Sequence, residues 1–211
     1  WDQVKARAQF ERITVPLYSS GNWGGWNHHM RGNIDGFVRS AANVKKLQMH
    51  IGGHTDAFYS DEGKHELLRW YDYWLKGIDN GVMDEPAIHY WTIDAPEGTE
   101  WRATDAWPLP HEQPTDFHFA GGRSGTVGSA NDGVLATSPP RAAGADAYTV
   151  DYLATSGRSN RWTNGYGGWA GYPDMTENDE RGLTYTSEPL RTDLEVTGHP
   201  IARLWIEATA E

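Results

Sequence analysis

No cysteine occurs among the 211 residues. Disulfide scaffolds, thiolate zinc sites and a cysteine nucleophile are therefore excluded, while the compartment, cytoplasmic or secreted, stays undecided. No apolar run approaches the roughly 18 residues of a membrane-spanning helix, so no membrane partner is expected. Positive charge is scarce: 18 Lys and Arg stand against 29 Asp and Glu, a net charge of −11. The excess is spread along the chain and would repel phosphate backbones, so no nucleic-acid partner is expected. There is no internal repeat. The chain opens on Trp1 rather than on a methionine, and it is expected to be truncated at both ends. A Gly-x-Ser-x-Gly nucleophile elbow is also missing; the nearest string, Gly122-Arg123-Ser124-Gly125-Thr126, fails at its last position.

What is present falls into two textures. Residues 1–85 alternate strand and helix. Ile13 to Tyr18 is expected as a short strand carrying Pro16. A helix is expected from near His28 to Ala42, because Met30, Ile34, Phe37 and Val38 recur at helical spacing. Lys46 to Ile51 reads as a second strand. The next helix is the clearest, with Leu67, Leu68, Tyr71, Trp74 and Leu75 on one face, Ser60 or Asp61 as its cap and Gly77 just past its end. Two strand–helix units in series imply parallel neighbouring strands. Residues 86–211 lose the helical period. Short β-like runs at Ala87–Ile93, Asp116–Phe119, Ala147–Leu153, Leu183–Thr186 and Ile201–Ala208 are separated by Gly-, Pro- and Asn-rich turns, the spacing of an antiparallel sandwich. Gly121 to Gly133 reads as a Gly/Ser-rich loop. Arg158 to Asp179, with Trp162, Tyr166, Trp169 and Tyr172, reads as a long irregular stretch. The fold class is thus α/β plus all-β, with a domain boundary expected at 85/86.

The chemistry concentrates in Lys46-Leu47-Gln48-Met49-His50-Ile51-Gly52-Gly53-His54-Thr55-Asp56. A strand that stops at Gly-Gly-His presents an imidazole at the carboxyl edge of a sheet, where open α/β folds place their chemistry. His54 is the candidate general base, since an imidazole titrates near pH 6.5 and can both take and return a proton. His50 and His54 would lie about 13 Å apart on an extended strand, so no metal site is expected. His50, inside the strand, reads as a hydrogen-bonded core residue. Trp23 and Trp26, on the loop after the first strand, are candidates for lining a substrate pocket or for packing.

In order and spacing these strings resemble the α/β-hydrolases of the cocaine esterase and X-prolyl dipeptidyl aminopeptidase group. Val15-Pro16-Leu17-Tyr18-Ser19-Ser20-Gly21 is similar to the strand bearing that family's catalytic acid, and Arg31-Gly32-Asn33-Ile34-Asp35-Gly36-Phe37 to the helix after it. Lys46 to His54 is similar to the strand and loop that deliver the catalytic histidine, and Arg69 to Gly77 to the helix ending Leu-Lys-Gly. Trp101-Arg102 with Trp107-Pro108 resembles the approach to a carboxy-terminal jelly-roll. Pro189-Leu190, Val196-Thr197-Gly198 and Ala202-Arg203-Leu204-Trp205 resemble strands deeper in it. The resemblance implies the last strands and helices of an α/β-hydrolase sheet followed by an incomplete jelly-roll β-sandwich. It also implies a serine hydrolase of esters or amides, with the serine upstream of Trp1 and no cofactor. One position departs from it. Where the family reads Gly-Trp-x-Asp, this chain reads Asn22-Trp23-Gly24-Gly25, so the acid is unassigned. Asp56, Asp35 and a carboxylate from an upstream segment are the candidates.

The partners expected on this reading are a small-molecule ester or amide, the upstream segment carrying the nucleophile, and a second copy in a homo-oligomer. Two other readings compete: a noncatalytic ligand- or carbohydrate-binding β-sandwich, whose aromatics would stack on sugars, and a catalytically dead relative kept as a scaffold.

Overall fold

A computed structural model describes residues 9–23, 29–51, 55–153 and 174–209, the side chains of residues 56 and 57 excepted. A short 3-10 turn, Phe10–Arg12, leads into strand β1, Leu17–Asn22. Helix α1, Met30–Arg39, strand β2, Lys45–His50, and helices α2, Asp56–Tyr59, and α3, Asp61–Lys76, follow. Strands β3, Ile88–Trp91, and β4, Trp101–Thr104, complete a four-stranded sheet of order β1-β2-β3-β4. β1, β2 and β3 run parallel, and β4 returns antiparallel to β3. The first sheet thus continues past residue 86: Ala87–Ile93, expected in the second unit, supplies a parallel strand here. Strand β4 was not anticipated as a strand at all.

β1 begins later than its apolar run suggested. Pro16 has no N–H to give a ladder, and the pairing starts only at Leu17, whose N–H reaches Val44 O at 3.0 Å. β1 then continues through Ser19, Ser20 and Gly21 because α1 lies directly on it. A Cβ on Gly21 would stand 2.5 Å from Asn33 Oδ1. Asn33 Nδ2 donates to Ser20 O at 2.9 Å, and Ser19 Oγ donates to Asn33 O at 3.1 Å. On this side of the sheet Leu47, Met49, Ile88 and Tyr90 pack with Ile34 and Phe37 of α1 to form the core. Val38, expected on the same apolar face, is 45% exposed. α1 ends at Arg39 rather than Ala42, where Ser40 turns to extended dihedrals.

The opposite face of the sheet is polar and lies against α3. Ser60 accepts from Gly63 N–H at 3.0 Å and caps that helix, and Gly77 closes it at φ 69°. Trp70 meets the Tyr18 ring edge-on at 5.4 Å. Beside it, Arg69 joins Glu66 at 2.7 Å and also pairs with Glu85, which lies 3.7 Å from the buried Lys46 Nζ. Burial, with the neighbouring Arg69 charge, lowers the Lys46 ammonium below the usual lysine range despite the opposing pull of Glu85. The half-buried His89 is likewise lowered, by burial first and then by Lys46.

A second sheet is built from β5, His118–Ala120, β6, Asn131–Ala136, and β7, Leu183–Thr186, in that order. β5 and β6 are antiparallel but β6 and β7 are parallel, so this sheet is mixed. Tyr185 lies against Gly133, where a Cβ would meet its ring at 2.5 Å, and stacks on Phe119 at 4.1 Å. Helix α4, Thr176–Asp179, falls within the stretch expected to be irregular. The runs 147–153 and 201–208 pair with no strand among the described residues. Residues 195–199 instead reach the first sheet: Tyr90 Oη donates to Glu195 at 3.2 Å, Arg102 lies 3.5 Å from it, and His199 packs on Trp107. Among the described residues, no helix is long and apolar enough to cross a membrane.

Candidate active site at the carboxyl edge of the parallel strands

β1, β2 and β3 present their carboxyl ends side by side. Asn22 stands in register with His50, and both are buried. His50 Nδ1 lies 2.8 Å from Ile51 O. A carbonyl only accepts, so this nitrogen carries the proton and donates. The expectation of a hydrogen-bonded core histidine holds. The chain leaves β2 at Ile51 and is described again from Thr55, whose carbonyl accepts from Phe58 and Tyr59 N–H as α2 begins. His54 lies outside the described residues, as do Trp26, Gly24, Gly25 and the aromatic loop with Trp162, Tyr166, Trp169 and Tyr172. Asp56 is the first residue of α2, two positions after His54. Asp35, the other local carboxylate considered, pairs with Arg31 of its own helix at 3.4 Å.

Trp23 is the one expected pocket residue whose side chain can be followed. Its ring packs against the buried core, and its indole N–H donates to Trp91 O at 2.7 Å. Trp91 closes β3 and meets Trp101 of β4 edge-on at 5.3 Å. Trp91 did not stand out in the sequence, because only the sheet order reveals that β3 borders this edge. Phe58 and Tyr59, largely exposed just after the Gly-Gly-His loop, were also overlooked. Ser124, the nearest approach to an elbow serine, donates instead to Asp132, whose other oxygen accepts from Gly125 N–H at 2.7 Å. It organises the β5–β6 loop and sits on no strand–helix turn. No cluster of metal-ligating side chains occurs among the described residues.

A largely parallel α/β sheet with a polar carboxyl edge, followed by a smaller β unit, defines the class: a mixed α/β protein with a β-rich appendage. Comparison with known proteins narrows it. Residues 80–211 match the X-Pro dipeptidyl-peptidase C-terminal non-catalytic domain family. A Mycobacterium bovis protein designated a serine esterase is 38% identical over the whole chain, which spans 32% of that relative's length. Cocaine esterase of a Rhodococcus strain is 29% identical over 67% of the chain, and a Bacillus cereus protein designated an Xaa-Pro dipeptidyl-peptidase is 35% identical over 36%. A crystal structure of a CocE/NonD family hydrolase from Staphylococcus aureus aligns with 53% of this chain and 19% of its own at 25% identity, with a TM-score of 0.44. The chain belongs to the cocaine esterase and X-prolyl dipeptidyl-peptidase group of hydrolases, residues 80–211 being of its C-terminal domain family.

Proposed function

We propose that these residues are part of a serine hydrolase that cleaves ester or amide bonds, and that His54 is its general base. One observation carries the reading: β2 ends at His50 on the carboxyl edge of three parallel strands, and the sequence Gly52-Gly53-His54 comes one residue later, the order in which α/β hydrolases deliver their histidine. The designations of the relatives support it, and the chain's 32% share of the mycobacterial one leaves ample length for a nucleophile elbow elsewhere. In the proposed reaction the imidazole takes the serine proton as the hydroxyl attacks the acyl carbon, then returns it to the leaving group. Asp56 stays the local candidate for the acid; Asp35 is already engaged by Arg31. With the Trp23 indole N–H occupied, Trp26 is the stronger candidate for substrate contact. An incomplete jelly-roll beyond the first sheet is part of the same proposal. It is supported by the apolar run Ile201, Leu204, Trp205 and Ile206, which is exposed and pairs with no strand among the described residues.

The test is fluorophosphonate labelling of the full-length protein and of its His54→Ala variant, since the probe reports an activated serine whatever the natural substrate. Labelling that disappears with His54 supports the reading. A wild type that does not label refutes it and favours the noncatalytic alternative, which the non-catalytic domain family matched by residues 80–211 already suits for that part of the chain.

A further inference from the structure

The strand order makes the Trp23 hydrogen bond unusual. β1 and β3 are not neighbours; β2 lies between them. Adjacent strands are about 4.8 Å apart, so a side chain leaving β1 must pass across the end of β2 to reach a β3 carbonyl. The carbonyl it finds belongs to the β2–β3 ladder. Leu47 N–H donates to Ala87 O at 2.9 Å, with Leu47 opposite Ile88 and Met49 opposite Tyr90. Parallel alternation therefore puts the amides of Leu47, Met49 and Ile51, and the carbonyls of Ala87, His89 and Trp91, on the shared edge. The register ends at Met49–Tyr90. The next acceptor, Trp91 O, takes the indole N–H of Trp23 at the level where Ile51 would have continued the ladder.

We infer that Trp23 is a positioning residue. Its indole occupies the rung after the last β2–β3 pair, Met49–Tyr90, ends their pairing there, and sets the direction in which the chain leaves β2 at Ile51. The inference rests on the reading of His54 as general base, because His54 stands three residues after Ile51 in the chain. Three features fit the role. The ring is fixed by packing on the core, so the N–H is held rather than free to swing. The acceptor is a main-chain carbonyl at the end of a strand locked to β4, with Trp91 opposite Trp101. The departing end of β2 is itself tied, His50 to Ile51 O. An indole used this way does not offer its N–H to a substrate.

The experiment uses the full-length protein and Trp23→Phe, which keeps an aromatic plate and removes only the donor. Trp74→Phe, on α3, serves as a control for loss of an indole. Two readings are taken well below the thermal midpoint of each variant: the rate of fluorophosphonate labelling, and the exchange of amide hydrogens in residues 51–59. Trp23→Phe is expected to slow labelling about tenfold to a hundredfold, the scale of a small misplacement of a catalytic group, and to speed exchange in 51–59 while the control does neither. A purely structural tryptophan would lower the thermal midpoint and leave the labelling rate unchanged, which overturns the inference. If the wild type does not label, the general-base reading falls, and exchange alone decides: unchanged exchange in Trp23→Phe then removes the positioning role too.

Discussion

Replacing Gly21 by alanine puts a methyl group where the Asn33 side chain lies. The new carbon would stand 2.5 Å from Oδ1, 2.7 Å from Cγ and 3.2 Å from Cβ of Asn33. The first two contacts are far inside van der Waals distance, so the carboxamide must swing away or α1 must lift from β1. Swinging away breaks the 2.9 Å bond from Asn33 Nδ2 to Ser20 O, worth about 1 kcal/mol. Overpacking adds about 1–3 kcal/mol, so the expected loss is about 2–4 kcal/mol. Asn33→Ala alone removes the hydrogen bond and the clash partner together and is expected to cost about 1 kcal/mol. The two changes should therefore not add. In Asn33→Ala only the mildest of these three contacts, Cβ at 3.2 Å, remains, and the double variant should be more stable than the sum of the singles implies by at least about 1 kcal/mol. Urea denaturation followed by tryptophan fluorescence in all four proteins measures this cycle. Strict additivity would refute the close approach of α1 to β1 as the reason for glycine at this position.

Other expectations follow from the buried network and the helix cap. Glu85→Ala leaves Lys46 and Arg69 facing each other without their shared carboxylate. Because Glu85 is partly exposed, the cost should fall between the about 1 kcal/mol of an exposed pair and the about 3–5 kcal/mol of a fully buried one. Lys46→Met should be far milder, which thermal denaturation of the two variants compares directly. The His89 pKa is lowered in the fold, so the unfolded chain binds the proton more readily. Stability should therefore be full above the ordinary histidine value of about 6.5 and decline as pH falls below it. A His89→Gln variant that keeps the same decline would contradict that assignment. Ser60→Ala should cost about 1 kcal/mol through the lost cap of α3, read as earlier unfolding in urea. Residues 1–211 expressed alone should self-associate through β1, the edge strand of the first sheet among the described residues; a monodisperse monomer by light scattering would contradict this.

Local signals in the sequence were strong where one residue decides one thing. Ser60 and Gly77 bracket α3 because a hydroxyl cap and a left-handed terminal residue act within a single turn. The β2 strand, expected at Lys46 to Ile51 and found at Lys45–His50, was legible as well. Errors arose where a distant contact overrides a local preference. The apolar run Ile13–Tyr18 suggested an early strand, yet Pro16 delays pairing and Asn33, from the next helix, draws β1 on through Gly21. The run at 87–93 carries no mark of which sheet it joins, and it joined the parallel one. The runs at 147–153 and 201–208 have strand composition and, among the described residues, no strand beside them. At the candidate site, His54 could be proposed from its place in the chain alone. The part played by Trp23 could not, because it depends on β3 being the second neighbour of β1.

The central claim, that the loop after β2 carries the base for a serine nucleophile, is tested most directly by a crystal structure of the full-length protein labelled with a fluorophosphonate. The account predicts that the phosphonylated serine oxygen lies within hydrogen-bond reach, about 2.6–3.2 Å, of a His54 ring nitrogen, at the carboxyl edge formed by Asn22, His50 and Trp91. A label on a serine remote from that edge, or served by a different histidine, would contradict it.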